Sequence, residues 1–324
     1  MKKTNILITG GLGFLGRNIA EFLSKKKNNV FILDKNKNIF KEIKIKISKK
    51  KIFIGNFLNK ALVNNIILKK KIHIILHLGA ITQVNEALDY PLRTYSNNIM
   101  GTVNLLEAIR KIDKKIIFIF ASSDKAYGEC KENSYKENSA LKGVYPYDLS
   151  KLSADLICQS YSKVYKLKIG ILRCGNLYGP GDINTKRIVP DVINSILKNK
   201  KIVLRSDGNQ IRDYLYITDA INAYNLLINY LKKNRKLLNI YNVGSKDNLS
   251  ALKITKLIIK VSKVKKKKVV IVLKNSAKNE IKYQKLNYNK IYKELGWRQK
   301  VRLITGLRKI FIFTKKSVNK VNNS

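Results

Sequence analysis

Short runs of almost unbroken apolar residues punctuate the first half of the chain: Ile6 to Thr9, Val30 to Leu33, Ile52 to Ile54, Ile72 to Leu78, Ile116 to Phe120 and Leu167 to Leu172. A strand with one wet face alternates apolar and polar residues. Runs without that alternation predict strands covered on both faces, as in a parallel sheet. Between them, helical spacing of apolar positions predicts helices over about Leu15 to Lys26, Asn98 to Lys111 and Pro146 to Tyr165. Strands alternating with helices make βαβ units, so the expected fold is an α/β domain with a doubly wound parallel sheet.

The pattern loosens after Arg173, where Gly175, Gly179, Pro180 and Gly181 cluster. A helix near Val189 to Leu197, an extended stretch at Ile202 to Leu204, a helix from Tyr216 to Leu231, a short strand at Ile240 to Val243 and a helix from Leu252 to Val261 follow. This predicts a nucleotide-binding domain over residues 1–175 and a smaller α/β substrate domain over 176–314, with a possible return to the first domain near 213–245. Residues 315–324 are expected to be a disordered tail.

With 324 residues the chain is long enough for a large core, and no apolar stretch approaches the ~20 residues that span a bilayer. Ile6, Leu7 and Ile8 run straight into a glycine loop, so the start reads as a first strand rather than a signal peptide. Cys130, Cys158 and Cys174 are widely spaced and odd in number, which argues against a disulfide framework or a zinc site and for reduced thiols in the cytoplasm.

The net charge of +45, from 66 basic and 21 acidic residues, could attract polyanions. The excess is nearly all lysine and accompanies abundant Asn and Ile, the pattern that A- and T-rich codons impose, so it carries no specific nucleic-acid or membrane role. Lysine clusters at 25–27, 49–51, 69–71 and 265–268 read as solvated helix ends, where cations complement the helix dipole.

Gly10, Gly13 and Gly16 fall between a predicted strand and a predicted helix, where absent side chains let a pyrophosphate approach the helix N-terminus. This is the Rossmann-type arrangement. Asp34 ends the second strand, placed to accept hydrogen bonds from a ribose and to repel a 2′-phosphate, which favours NAD over NADP despite the neighbouring Lys35. Tyr147 and Lys151 lie four residues apart, one turn along a helix face. The lysine charge is expected to favour the phenolate, and the oxidised ring of a bound cofactor to favour it further, so that the phenol can act as a base near neutral pH. His73 and His77 read as core residues of an apolar strand, and Tyr127, Tyr178 and Trp297 as packing residues with a polar edge.

These features, together with Leu78-Gly79-Ala80, Asn98 to Thr102, Ser122 to Gly128, Arg173 to Gly181, Arg212 to Tyr216 and Leu295-Gly296-Trp297, resemble the extended short-chain dehydrogenase/reductase family of NAD-dependent epimerases and dehydratases. The resemblance runs over nearly the whole chain, and members mostly process nucleotide-linked sugars. It implies that Ser123 hydrogen-bonds the sugar 4-hydroxyl, that Tyr147 takes its proton and that Lys151 binds the nicotinamide ribose. It also implies that Asn98 supports a proton relay or the fold near Lys151, that Asn176 and Arg212 bind the sugar-phosphate and diphosphate, and that Phe14, Leu15, Asn56, Phe57, Leu78, Ala80 and Asn98 belong to the NAD site. A homodimer is implied as well.

Asp124 and Lys125 follow Ser123 directly. Epimerases of the family usually have small or uncharged residues there, whereas 4,6-dehydratases carry an acid and a base, and an Asp-Lys pair resembles the CDP-glucose type. Oxidation at the 4-position acidifies the 5-proton, so a base can remove it while an acid protonates the leaving 6-hydroxyl. Lys125 would be that base, if uncharged, and Asp124 the acid, if protonated. Asn56 and Asn287 stand where the family often has Asp, and Leu15 where CDP-glucose dehydratases usually have Lys. The resulting expectation is an NAD-dependent nucleotide-sugar 4,6-dehydratase, the alternatives being a 4-epimerase or a non-catalytic NAD- or RNA-binding protein.

Overall fold

The structure is a computed structural model that describes residues 3–37, 46–129, 134–264, 270–274 and 281–322. Seven strands, β1 (Asn5–Thr9), β2 (Asn29–Asp34), β3 (Ile52–Ile54), β4 (Ile74–His77), β5 (Ile117–Ser123), β6 (Ile169–Cys174) and β10 (Leu238–Val243), form one sheet in the order β10-β6-β5-β4-β1-β2-β3. Every pairing in it is parallel. The order reverses at β1, between β4 and β2, which opens a crevice at the strands' C-terminal ends.

The unbroken apolar runs serve two cores. Ile6 and Ile8 of β1 face the side covered by α1 (Phe14–Lys25) and α8 (Ile217–Lys233), while Leu7 faces α2 (Lys60–Lys69), α5 (Gly101–Ile112) and α6 (Pro146–Tyr165). Likewise Ile117 and Ile119 of β5 join the first layer, and Phe118 and Phe120 the second. All three β1 residues are fully buried, each stabilising the fold by about 1.5–3 kcal/mol relative to exposure.

The smaller lobe carries α7 (Ile188–Leu197), a three-stranded sheet of β11 (Asn248–Ser250), β9 (Ile211–Tyr216) and β7 (Asn176–Tyr178), and a parallel pair of β8 (Ile202–Leu204) with β12 (Ile271–Leu273). The chain does cross back: β10 pairs with β6 from Leu238↔Ile169 to Val243↔Cys174. It then leaves again through α9 (Ala251–Ser262), α10 (Asn289–Leu295) and α11 (Leu303–Asn322).

Two expectations are corrected. Helix α11 runs through Asn322 where a disordered tail was expected from residue 315, because Leu303, Leu307, Ile310 and Phe311 anchor its first half and each further turn then needs no new nucleus. His73 is exposed rather than core; it precedes β4, and its Nδ1 accepts a hydrogen bond from Asn5 N at 3.0 Å. His77 is buried between Thr9 Oγ1 (2.6 Å) and Thr102 Oγ1 (3.1 Å), and burial lowers its pKa to about 3. Trp297 Nε1 donates to Asp219 O (2.9 Å), as a packing residue with a satisfied polar edge should. Lysines at 25–27 and 69–71 do close α1 and α2, the 49–51 group forms a 3₁₀ turn, and Cys130 and residues 265–268 lie outside the described residues.

Candidate active site

The crevice is a cleft of ≈1260 Å³ reaching from the glycine loop to the smaller lobe. At its floor β1 turns into α1. Gly10 has φ +67°, and a Cβ on Gly16 would lie 2.2 Å from Gly10 O, so the loop closes only because both positions lack side chains. Gly13 caps α1 without a side-chain hydrogen bond, and no acid occupies the first turn, leaving its N–H groups and positive dipole end for an anion. Asp34 accepts from Leu12 N (3.0 Å) and Asn36 N (3.0 Å), which fixes its carboxylate at the cleft edge with further lone pairs to offer. This is a cradle whose shape, free N–H groups and ribose-side carboxylate fit a dinucleotide. Phe14, Leu15, Lys35, Asn56, Phe57, Leu78 and Ala80 line it too.

Asn98 does not line the cleft. It sits in a π turn (Ser96–Met100) between α4 (Pro91–Tyr95) and α5, an inserted residue of the kind that marks functional sites. Its Nδ2 donates to Ile81 O (3.0 Å) and Ser150 Oγ (2.9 Å), and Ser150 Oγ donates to Tyr147 O (2.7 Å). These bonds tie the loop after β4 to the first turns of α6.

Tyr147 and Lys151 both line the cleft and both are buried. Ser123 is a neighbour of the Tyr147 phenol, and its Oγ donates to Asp124 Oδ1 (3.0 Å) and accepts from Lys125 N (3.2 Å). Lys151 Nζ donates to Ala121 O (2.8 Å) and lies 5.0 Å from the Phe120 ring centroid. With no cofactor bound, burial pushes the Tyr147 phenol well up, Asp124 and Asp148 push it further, and Ser123 and the Arg187 charge only partly oppose the rise. Burial also lowers Lys151 to about 8.

Asp124 is buried and its Oδ2 has no hydrogen-bond partner among the described residues; burial raises its pKa, against the pull of Lys125, the Ser123 bond and Arg212. Lys125, Asn176 and Arg212 face the same cleft. Arg212 is half-buried rather than buried, its Nη1 donating to Ile211 O (2.9 Å). Sequence reasoning missed Asp148, Arg187 and Arg205, which also line the cleft. Behind this wall a network holds β5, β6, α6 and β10 together. Arg173 donates through Nε and Nη2 to Asp155 (both 2.9 Å) and through Nη1 to Tyr127 OH (2.8 Å); Ser122 Oγ donates to Asp155 (2.7 Å), and Tyr127 OH to Asn242 Oδ1 (2.7 Å).

A dinucleotide-type cradle facing a serine–tyrosine–lysine set defines an oxidoreductase-like site of the extended short-chain dehydrogenase/reductase class. The family described as GDP-mannose 4,6 dehydratase matches residues 7–310, and the chain belongs to it. It is 32% identical to a dTDP-D-glucose 4,6-dehydratase of Dictyostelium discoideum, over 97% of this chain and 82% of that protein. Among solved structures, the dTDP-glucose 4,6-dehydratase of Bacillus anthracis in complex with NAD superposes with TM-score 0.83 at 27% identity, covering 97% of each chain. The UDP-glucose 4-epimerase of Thermotoga maritima with UDP-glucose gives 0.87 at 25%, covering 97% of this chain and 100% of that one.

Proposed function

We propose that the protein is an NAD-dependent nucleotide-sugar 4,6-dehydratase that converts an NDP-hexose, of the CDP-glucose type by its Asp-Lys pair, into the NDP-4-keto-6-deoxyhexose. The observation that carries this is Asp124: a carboxyl that is buried in the cleft, bonded to Ser123 beside Tyr147, raised in pKa by its burial, and left with one oxygen unpartnered among the described residues. An epimerase, which moves hydride to and from a single carbon, has no use for such an acid. An elimination needs one, to protonate the leaving hydroxyl.

The cradle at Gly10, Gly13, Gly16 and Asp34 would hold NAD, which when bound accepts hydride from the sugar 4-position and later supplies it to the 6-position. The chain's own residues do the proton work. Tyr147 takes the 4-hydroxyl proton, Ser123 orients that hydroxyl, and Lys151, at the end of its tether to Ala121 O, is within one helical turn of Tyr147 to bind the ribose. Asn176 and Arg212 would receive the sugar and the diphosphate, for which a guanidinium fork is suited. Lys125, which lines the same cleft, would remove the 5-proton when uncharged.

A 4-epimerase remains the second reading, favoured by similarity to the Thermotoga maritima epimerase. Purified protein incubated with CDP-, dTDP-, UDP- and GDP-glucose decides: loss of one water by mass spectrometry, with a 4-keto chromophore, supports dehydration, whereas an isomer of unchanged mass overturns it. A protein that only bound NAD or RNA would turn over none of them. A homodimer fits the exposed Leu88, Leu92, Met100, Leu149 and Leu156 on α3 (Val84–Asp89), α4, the π turn and α6, and light scattering tests it. Free, buried Cys158 and Cys174 suit a reducing cytoplasm, and no helix among the described residues is long and apolar enough to cross a membrane.

A further inference from the structure

The fold supplies acceptors for several of its buried tyrosines: Tyr127 donates to Asn242 Oδ1 (2.7 Å), Tyr241 to Glu294 Oε2 (2.7 Å) and Tyr178 to Leu303 O (3.4 Å). Tyr224 on α8 departs from this pattern. It is 1% exposed, and its hydroxyl is the only enclosed phenol hydroxyl that lacks a hydrogen-bond partner among the described residues. A buried hydroxyl left unbonded destabilises the fold, and phenylalanine would fill the same space without that cost. Yet the residue is not sealed in the core, for it lines the cleft.

The packing of α8 shows where the phenol is aimed. A Cβ on Gly170 of β6 would meet Leu227 Cδ2 at 2.8 Å and Leu231 Cδ1 at 2.9 Å, so α8 lies directly against this face of the strand. Leu172 and Cys174 share the face with Gly170 and join Tyr224 in one core layer. Helix and strand run in opposite directions: Lys168 Nζ, just before β6, donates to Leu231 O (3.1 Å) and Asn234 O (2.8 Å) at the far end of α8. Tyr224, one turn before Leu227, therefore lies toward the C-terminal end of β6. Helical side chains lean toward the helix N-terminus, which carries the phenol further toward Cys174 and the cleft. Cys174 lines the cleft and is the register partner of Ser123 on β5.

A dinucleotide in the cradle begins at Asp34 on β2 and passes the glycine loop after β1, so its reactive ring reaches Ser123 and Tyr147 at the end of β5. The next strand in the sheet is β6. The ring edge turned away from the glycine loop thus comes against Cys174, with Tyr224 beside it. On a nicotinamide ring the one hydrogen-bonding substituent is the carboxamide. We infer that the Tyr224 hydroxyl donates a hydrogen bond to the carboxamide oxygen of NAD, and so fixes the orientation in which the ring meets the sugar. Burial pushes this phenol well above its ordinary range, so it keeps its proton and serves as a donor rather than a second base. The role needs only the bound cofactor, and is the same for a dehydration and an epimerisation.

The test compares wild type with Tyr224→Phe, which keeps the aromatic ring and its packing. Calorimetry gives the affinities for NAD and for ADP-ribose, which lacks nicotinamide, and thermal melting gives the unfolding midpoint of the cofactor-free protein. The variant is expected to bind NAD about 3- to 50-fold more weakly, as for a hydrogen bond gained only on binding, and ADP-ribose within about twofold of wild type. Its cofactor-free midpoint should equal or exceed that of wild type, since an unbonded hydroxyl has been removed. A loss of NAD affinity below about threefold overturns the inference and leaves a buried water as the partner of the hydroxyl. A loss for ADP-ribose beyond about twofold overturns it too, placing the effect outside the nicotinamide ring. A midpoint lowered by more than about 3 °C does the same, because the hydroxyl would then already be bonded in the cofactor-free fold. If wild type binds neither ligand, the cofactor reading falls and this inference with it, an outcome distinct from the other three.

Discussion

Replacing Asp155 by alanine should damage the fold more than any change on the cleft surface. The Asp155 and Arg173 side chains are 0% and 2% exposed, joined by two 2.9 Å bonds, and the carboxylate also takes Ser122 Oγ at 2.7 Å and Gln159 Nε2 at 2.8 Å. Without Asp155 the guanidinium stays buried with only Tyr127 OH and Glu137 O as acceptors, and the Ser122 hydroxyl loses its acceptor. An uncompensated buried charge costs about 3–5 kcal/mol, a large part of a typical total of about 5–15. At roughly 2–4 °C per kcal/mol, the unfolding midpoint falls by on the order of 10 °C. Urea denaturation followed by the fluorescence of Trp297, the single tryptophan and fully buried, measures it. Changing both partners to leucine should restore much of the loss, since the penalty lies in the stranded charge rather than in the missing pair. A loss below about 1 kcal/mol in Asp155→Ala, or a double variant no better than the single one, would refute the reasoning.

Gly16→Ala places a methyl 2.2 Å from Gly10 O and 2.7 Å from Gly11 Cα. The loop must shift, and strain of about 1–3 kcal/mol corresponds to a roughly 5- to 150-fold weaker NAD affinity, read by calorimetry. Lys151 supplies a pH dependence of stability: its folded value of about 8 lies below the unfolded ~10.4, so the unfolded chain holds more protons between these values and stability rises across that window. Unfolding free energies of wild type and Lys151→Met, compared from pH 7 to 10.5, should therefore converge by up to about 3 kcal/mol as the pH rises. A pH-independent gap would show that burial does not disfavour the Lys151 charge.

Much of the sheet was legible because strands apolar on both faces leave unbroken runs. β2 matches its run to within one residue at each end. β5 extends three residues past its run, through Ala121, Ser122 and Ser123, because the polar end of that strand is given to the site rather than to the core. Helix α2 was not foreseen: Asn64 and Asn65 interrupt its apolar positions, and it is held by Val63, Ile66 and Ile67 against the sheet. The return of β10 beside β6 needs a contact some seventy residues away, which no local pattern encodes. Motif spacing brought Tyr147, Lys151, Ser123, Asp124 and the glycine loop to one cleft.

Spacing could not foresee the state of Tyr147. Four residues along a helix bring a lysine near a tyrosine, but the Lys151 ammonium is drawn to Ala121 O at 2.8 Å, and desolvation of the phenol dominates. Burial thus works against the phenolate in the protein alone, and the positive ring of a bound oxidised cofactor would work for it. That keeps a reactive phenolate from persisting when nothing is bound. Ultraviolet titration of cofactor-free protein, as the difference between wild type and Tyr147→Phe, should show no phenolate from this residue up to its ordinary range of ~10. The same difference taken with oxidised NAD bound should show ionisation at lower pH, and with the reduced, uncharged ring a smaller effect. A phenolate appearing below pH ~8 without cofactor would mean that Lys151 alone sets the base, and that burial has been given too much weight.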